Sequence, residues 1–211
     1  MEMWNDSEID LFKRLDTPNA IQEFISTASY DDIDLDTNKS PRYSIQENRF
    51  NCFEGGLVTA AVMEYYGYKP LIIDMIAEND DDHIIMVYKH KIFDRWGAIA
   101  KSNTTTLRGR EPVYNTPREL VMSYFDLYFN VAGDKTLRAY SRPINLEDFN
   151  KYEWRTTANN LDDTLSNDLN RSKYRYFDIL TKEMIANLSK ANPEVLRASL
   201  LGSKPDGLYK L

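Results

Sequence analysis

The chain of 211 residues contains one cysteine and two histidines, so chemistry that joins a thiol to an imidazole must pair Cys52 with His83 or His90. Cys52 follows the polar residues 48–51 and precedes an apolar run, a position typical of the first turn of a helix. Unpaired N–H groups and the helix dipole favour a thiolate there, and a thiolate is a strong nucleophile. A lone cysteine also commonly fills space in a core. The residue type alone leaves both interpretations open.

His83 is the better partner for a nucleophilic cysteine. It follows an acidic loop at residues 79–82 and begins a run with the composition of a β-strand, so its ring is expected at one end of a sheet. A helix packed on that sheet would bring its N-terminus to the same end, where the imidazole would act as the general base. His90 lies in the turn KHKIFD, where we expect a solvated side chain.

The surrounding sequence predicts the elements that position these two residues. Three runs rich in Ile, Val, Tyr and Trp, at residues 70–77, 83–89 and 95–101, predict an antiparallel meander. A later strand is predicted in TLRAYS, and residues 29–40 are predicted to form an acidic surface loop. Capping residues predict helix starts at Ser7, Thr17, Ser40, Cys52, Thr116, Asn145, Thr181 and Asn192, and the helix from Cys52 is predicted to end near Gly67.

We therefore predict an α+β fold in which the Cys-bearing helix packs on a small antiparallel sheet, flanked by N- and C-terminal helices. The chain is expected to form a single domain, residues 1–211. Residues 1–50 would hold the N-terminal helices and the acidic loop, residues 51–130 the Cys/His core, and residues 131–211 a mainly helical extension.

The charge and composition of the chain limit which binding partners and which cellular compartment are expected. The formal net charge of −7 argues against general binding of nucleic acid or of an anionic membrane. Acidic residues occupy the N-terminus, where a signal peptide would be apolar, and no run of about 18 apolar residues occurs, so a cytoplasmic location is expected. A single cysteine excludes an internal disulfide framework and a Cys-rich zinc site, and no cofactor is predicted.

The order of helix with Cys, strand, strand with His and further strand resembles the transglutaminase-like superfamily of papain-like cysteine enzymes. The strings NCFEGGLVTAAVMEYYGYKPLIIDM, DDHIIMVYK, WGAIAKSN, LRGREPVY and ELVMSYFDLYF are similar to a little-described bacterial family within it. The resemblance covers residues 51–103, with a looser extension to residue 129. It implies that Cys52 is the nucleophile and His83 the base. The small residues Gly55, Gly56, Ala60 and Ala61 would let the sheet approach the helix closely.

The third member of the catalytic group departs from the family pattern. Ala100 stands about where the resemblance implies an Asp, so no carboxylate is available there. Asn103, 20 residues after His83, is the predicted residue that orients the imidazole through its side-chain carbonyl. Ser102 and then Asp94 are weaker candidates for that role.

Further candidates concern substrate binding. Arg108 and Arg110 have side chains that grip a carboxylate or phosphate bidentately, but structural pairing with the chain's many acidic residues is an equal alternative. Gln46 is a candidate for an oxyanion hole, although the backbone N–H of Cys52 is the better donor. Residues 80–82 carry metal-ligand types, but consecutive side chains cannot all converge on one ion, so a solvated loop and no metal site are predicted.

Two functions of different classes follow. In the first, Cys52 and His83 carry out thiol-dependent acyl transfer on a peptide, protein or small molecule that has an acyl group, with hydrolysis or transfer to an amine as the outcome. In the second, the chain is a non-catalytic transglutaminase-like module that binds a peptide or a small acidic ligand. The sequence does not predict an oligomeric state.

Overall fold

The computed structural model describes residues 3–31, 38–161, 165, 175–205 and 208–209. Its helices are α1 (Asp6–Arg14), α2 (Pro18–Thr27), α3 (Pro41–Glu47), α4 (Cys52–Tyr65), α5 (Pro117–Phe125), α6 (Lys182–Ala186) and α7 (Pro193–Ser199), with 3₁₀ segments at Thr105–Leu107 and Leu146–Tyr152. Its strands are β1 (Ser29–Tyr30), β2 (Arg49–Phe50), β3 (Leu71–Ala77), β4 (His83–Lys89), β5 (Trp96–Ile99), β6 (Arg110–Tyr114), β7 (Leu137–Ser141), β8 (Ile144–Asn145) and β9 (Tyr176–Asp178).

Helix α4 begins at Cys52, as the sequence predicts, because the residues before it satisfy the first N–H groups of the helix. The Asn51 side chain accepts from the Glu54 N–H at 2.9 Å, and the Glu54 carboxylate accepts from the Asn51 N–H at 3.1 Å. This reciprocal capping box fixes where the helix starts. The equivalent box of α1 uses Asn5 and Glu8, so α1 starts before the predicted Ser7.

The main sheet is antiparallel, and its strands follow the order β6-β5-β4-β3-β7-β9, with β8 also paired to β3. The predicted meander forms its centre as β3, β4 and β5. Strands β6 and β9 extend the sheet beyond the prediction, since REPVY contains a proline and two charged residues and YFD is very short. Strands β1 and β2 form a separate parallel pair.

Helices cover both faces of the sheet, and alternate residues of β4 separate two cores. Ile84, Met86 and Tyr88 pack in the cluster that contains the apolar residues of α4. Ile85 and Val87 belong to the other cluster, which contains apolar residues of α5. The predicted α+β class, with the Cys-bearing helix packed on an antiparallel sheet, is confirmed.

In the described part of the last third of the chain, β7 corresponds to the predicted strand TLRAYS, whereas β8 and β9 are not predicted and lie there with α6 and α7. Part of this region, at residues 162–164, 166–174, 206–207 and 210–211, lies outside the described residues, as do residues 32–37 of the predicted acidic loop. At the start of that loop, residues 29–30 form β1. Among the described helices, none combines the length and apolar character that crossing a bilayer requires.

Candidate functional site

Cys52 is brought to one end of the sheet by the close approach of α4. A Cβ atom added at Gly55 would collide with the Cβ of Lys101, and one added at Gly56 would lie 2.8 Å from Cγ2 of Ile84. The absence of side chains at these two positions therefore lets the first turn of α4 lie on the sheet, as the resemblance implied. The half-buried Cys52 then places its Sγ 3.8 Å from the carbonyl oxygen of Asp82.

The surroundings of Cys52 favour the neutral thiol. Burial raises the pKa of the Cys52 thiol to about 11, and the nearby backbone N–H groups of Ile84 and Phe53 offset only part of that effect. The Asp81 carboxylate raises the pKa further. The thiol accordingly donates to the Asp82 carbonyl. The expected preference for a thiolate at the helix N-terminus is thus reversed, because loss of water outweighs the backbone dipoles.

His83 is buried and firmly oriented. Its Nε2 lies 2.9 Å from the carbonyl oxygen of Leu107. A carbonyl can only accept, so Nε2 carries the proton and Nδ1 holds the lone pair of the neutral ring. Burial lowers the pKa of His83 to about 4, the Leu107 carbonyl partly raises it, and the charge of Arg110 lowers it. At neutral pH the ring is therefore uncharged, and its free base nitrogen is Nδ1.

Cys52 and His83 line the same cleft at the end of β4. His83 is paired in register with Met75, and both lie on the face covered by α5, whereas α4 covers the opposite face. Within the described part of the chain, no hydrogen bond joins the thiol to the imidazole, since the thiol donates to Asp82 and the ring to Leu107. The structure brings the pair to one cleft without forming an ion pair.

The cleft is small, and parts of the chain that are distant in sequence line it. Its volume is about 60 Å³, which is room for a few water molecules. Tyr128 lies beside the His83 ring, with ring centroids 6.4 Å apart, and its hydroxyl donates to the Asp81 carbonyl at 2.6 Å. The other lining residues are Tyr30, Asp80, Asp82, Ser102, Asn103, Thr104, Leu107, Phe129, Leu208 and Tyr209.

Asn103 lines the cleft, but it does not orient His83. Its Oδ1 accepts from the Lys204 N–H and its Nδ2 donates to the Lys204 carbonyl, both at 2.9 Å. The carbonyl that holds the imidazole belongs to Leu107 instead. The Ser102 hydroxyl lies 3.1 Å from that of Thr104 and also accepts from the Thr104 N–H, so it does not hold the ring either. Strand alternation fails to predict these directions because β5 ends at Ile99.

Asp94 is excluded as the third member by its position. It follows β4 in the turn, whereas His83 begins that strand, so about 20 Å of strand separates them. Asp94 pairs with Lys89 at that far end. His90 lies in the same turn, where its Nδ1 accepts from the N–H groups of Ile92 and Phe93. Ala100 is buried and leaves no carboxylate near the cleft at its position.

The substrate-binding candidates also lie elsewhere. The guanidinium of Arg110 donates to the carbonyl oxygens of Thr106, Arg108 and Gly109 and packs 3.8 Å over the Tyr124 ring, so it is a structural residue. Arg108 does not line the Cys52 cleft but a separate cavity of about 370 Å³ between the start of α2 and β6. Gln46 is exposed on α3 and does not line the cleft either.

The carboxylates of the acidic loop at residues 79–82 have different partners. Asp80 accepts from the Thr136 hydroxyl at 2.7 Å, and Asp82 accepts from the Ala77 N–H at 2.7 Å. The described residues contain no group of three or more His, Cys, Asp or Glu side chains placed to hold a metal ion.

Sequence reasoning missed the Leu107 carbonyl, the Tyr128 contact and the residues near the C-terminus. A backbone carbonyl has no signature in the residue types. Tyr128 lies in SYFDLYF, whose aromatic residues have the ordinary spacing of a core stripe. Leu208 and Tyr209 reach the cleft from about 100 residues beyond Asn103, through contacts that no local pattern encodes.

No family model matches the chain, and no curated protein matches it either. The relationship to the transglutaminase-like superfamily therefore remains a prediction that depends on the quoted sequence strings and on the order of the elements.

Proposed function

We propose that the chain is a thiol-dependent acyl-transfer enzyme of transglutaminase-like type, with hydrolysis as its outcome. One observation carries the proposal: Cys52 and His83 line one cleft, and the hydrogen bond from Nε2 to Leu107 leaves Nδ1 of His83 as the proton acceptor. General-base catalysis by a neutral imidazole requires a thiol in the same site and an unprotonated ring nitrogen, and these two observations support both requirements.

The reaction begins with both groups uncharged. As the Cys52 sulfur attacks the carbonyl carbon of an amide or ester, its proton passes to Nδ1 of His83 and the carbonyl π electrons move to oxygen. The tetrahedral intermediate collapses, the bond to the leaving group breaks, and the imidazolium returns the proton to that group. Water then attacks the thioester, again with Nδ1 as base, and releases the acid and the free thiol.

Backbone groups would stabilise the charges that develop. Cys52 is the first residue of α4, so its N–H has no acceptor within the helix and is a candidate donor to the oxyanion. The Leu107 carbonyl would hold the imidazolium in place of the carboxylate that Ala100 lacks. A neutral carbonyl stabilises that cation less than a carboxylate does, so we expect a slow enzyme.

A second function, peptide binding without chemistry, is favoured by a different observation. The thiol donates to Asp82, and burial raises the pKa of Cys52 to about 11 and lowers that of His83 to about 4, so neither group is ionised at neutral pH. In that alternative the cleft retains the shape of an enzyme but has lost its reactivity.

Turnover of a small activated ester distinguishes the two functions. Full-length protein is incubated with 4-nitrophenyl acetate at pH 8, nitrophenolate release is followed, and the peptide that contains Cys52 is examined for an acetyl group by mass spectrometry. We expect multiple turnovers, complete loss in Cys52→Ala, and a decrease of about 100-fold or more in His83→Ala. Stoichiometric acetylation with no turnover, or equal rates for wild type and His83→Ala, would contradict the enzymatic proposal and favour the binding function.

A further inference from the structure

The C-terminal segment, defined here as residues 203–205 with Leu208 and Tyr209, covers the Cys52 cleft. Leu208 and Tyr209 contribute to its lining. The Ser203 hydroxyl donates to the Asn103 carbonyl at 2.8 Å. These contacts lie beside the candidate nucleophile, and the acyl-transfer chemistry itself does not require them.

The side chain of Asn103 holds the C-terminal segment by pairing with the backbone of that segment. Its amide accepts from the N–H and donates to the carbonyl of the same residue, Lys204, both at 2.9 Å. A side-chain amide that pairs with both backbone groups of one residue recognises a peptide without reading its side chain. The Lys204 side chain takes no part in this pairing and donates to the Tyr30 carbonyl at 2.9 Å.

The C-terminal segment is anchored separately from α7, which precedes it. The Thr105 hydroxyl lies within hydrogen-bond distance of the Ala198 and Ser199 carbonyls, so the end of α7 is fixed beside the cleft. Gly202 follows in a left-handed conformation with φ of 78°, and no atom lies within 4 Å of an added Cβ. The segment can therefore leave the cleft by rotation near Gly202 without dismantling α7.

Departure of the C-terminal segment would break both hydrogen bonds between Lys204 and the Asn103 side chain. Asn103 is 8% exposed with the segment in place, so these bonds are shielded from water, and their loss costs free energy unless another backbone replaces them. Another peptide backbone supplies the same donor and acceptor as Lys204, so the vacated position is suited to an extended peptide rather than to a small polar molecule.

We infer that the cleft beside Cys52 binds an extended peptide through Asn103, and that the C-terminal segment occupies this peptide subsite in the structure. The inference deepens the proposed function and rests on it, because it identifies the acyl donor as a peptide carbonyl presented to Cys52. Asn103 is thus assigned to peptide binding instead of to orienting His83.

The test uses full-length variants and the reactivity of Cys52, which is the only thiol in the chain. Lys204→Pro removes the backbone N–H that donates to Oδ1 of Asn103. Lys204→Met is its matched control, because it keeps that N–H and loses only the contact to Tyr30. We expect iodoacetamide at pH 8 to alkylate Lys204→Pro at least tenfold faster than Lys204→Met. Equal rates in folded proteins would overturn the inference.

A peptide added in trans tests the recognition itself. The synthetic peptide SKPDGLYKL, which reproduces residues 203–211, should slow alkylation of Lys204→Pro toward the rate of Lys204→Met. SPPDGLYKL, which lacks the critical N–H, should have no effect. The cleft should also be open in Asn103→Ala, but SKPDGLYKL should not slow the alkylation of Cys52 in this variant. Protection of both variants to the same extent, or of neither, would overturn the role of Asn103.

The fold and the chemistry are checked independently of these rates. Far-UV circular dichroism and the thermal midpoint establish that each variant is folded. If Lys204→Pro is not folded, the Leu208→Ala/Tyr209→Ala double variant opens the cleft without a change of backbone and takes its place. Peptide protection without ester turnover supports this inference and removes the enzymatic proposal. Ester turnover without peptide protection supports the enzymatic proposal and overturns this inference.

Discussion

Cys52 and His83 reach one cleft from opposite faces of the same sheet. Helix α4, which begins at Cys52, covers the face of Ile84, whereas His83 lies on the face that α5 covers. The thiol therefore lies against the backbone at the start of β4, with its Sγ 3.8 Å from the Asp82 carbonyl. This placement explains why partial burial keeps the thiol protonated although it begins a helix.

The first prediction concerns the reactivity of Cys52 with pH. Burial raises the pKa of this thiol to about 11, so its thiolate fraction, and with it the rate of alkylation by iodoacetamide, should rise about tenfold per pH unit between pH 7 and 9.5. The urea-unfolded chain serves as the control, and its rate should level off above a pKa of about 8.5. A rate for the folded protein that is already constant at pH 7 would show that the thiolate is stabilised after all.

The elements around the site could be predicted because their signals are local. Asn51 and Glu54 form the capping box that places Cys52 at a helix start, and the alternating apolar runs of β3 and β4 identify the centre of the sheet. The pKa of Cys52 could not be predicted in this way, because it depends on how much water the folded chain excludes. The pairing of Asn103 with Lys204 joins positions 101 residues apart, and no local pattern specifies it.

The second prediction concerns stability in acid. Burial lowers the pKa of His83 from 6.5 to about 4, so between these values the unfolded chain binds more protons than the folded one. Stability should therefore fall as the pH decreases from 6.5 to 4, by about 3 kcal/mol from this residue alone.

The measurement for His83 is the free energy of unfolding by urea at several pH values. His83→Gln should lack this part of the pH dependence. His90→Gln, which removes the imidazole in the turn at the far end of β4, should keep the part that His83 contributes. Identical pH profiles for wild type and His83→Gln would contradict the buried, neutral imidazole.

The third prediction separates the two arginines of LRGREP, which the sequence made equal candidates for substrate binding. Arg110 donates to several backbone carbonyls and packs over Tyr124, so Arg110→Lys should lower the free energy of unfolding by about 2 kcal/mol. Arg108→Lys is the matched control and should have little effect. The comparison is made by urea denaturation, and a larger loss from Arg108→Lys would reverse the assignment.

The fourth prediction concerns the contact that brings Cys52 to the sheet. In an exposed helix, Gly→Ala would stabilise by about 1 kcal/mol. At Gly55 the added methyl would collide with the Cβ of Lys101, which is attached directly to the backbone and cannot rotate away. The cost of overpacking, about 1–3 kcal/mol, should outweigh the gain in helix propensity. We expect Gly55→Ala to lower the thermal midpoint by several degrees.

Gly55→Ala should also lower the pKa of the Cys52 thiol. Relief of the collision requires the first turn of α4 to move away from the sheet, which would admit water to Cys52 and bring its raised pKa down toward the ordinary value. Alkylation by iodoacetamide at pH 7 should therefore be faster in folded Gly55→Ala than in wild type. A higher thermal midpoint together with an unchanged alkylation rate would mean that helix propensity dominates at Gly55 and that α4 does not approach Lys101 so closely.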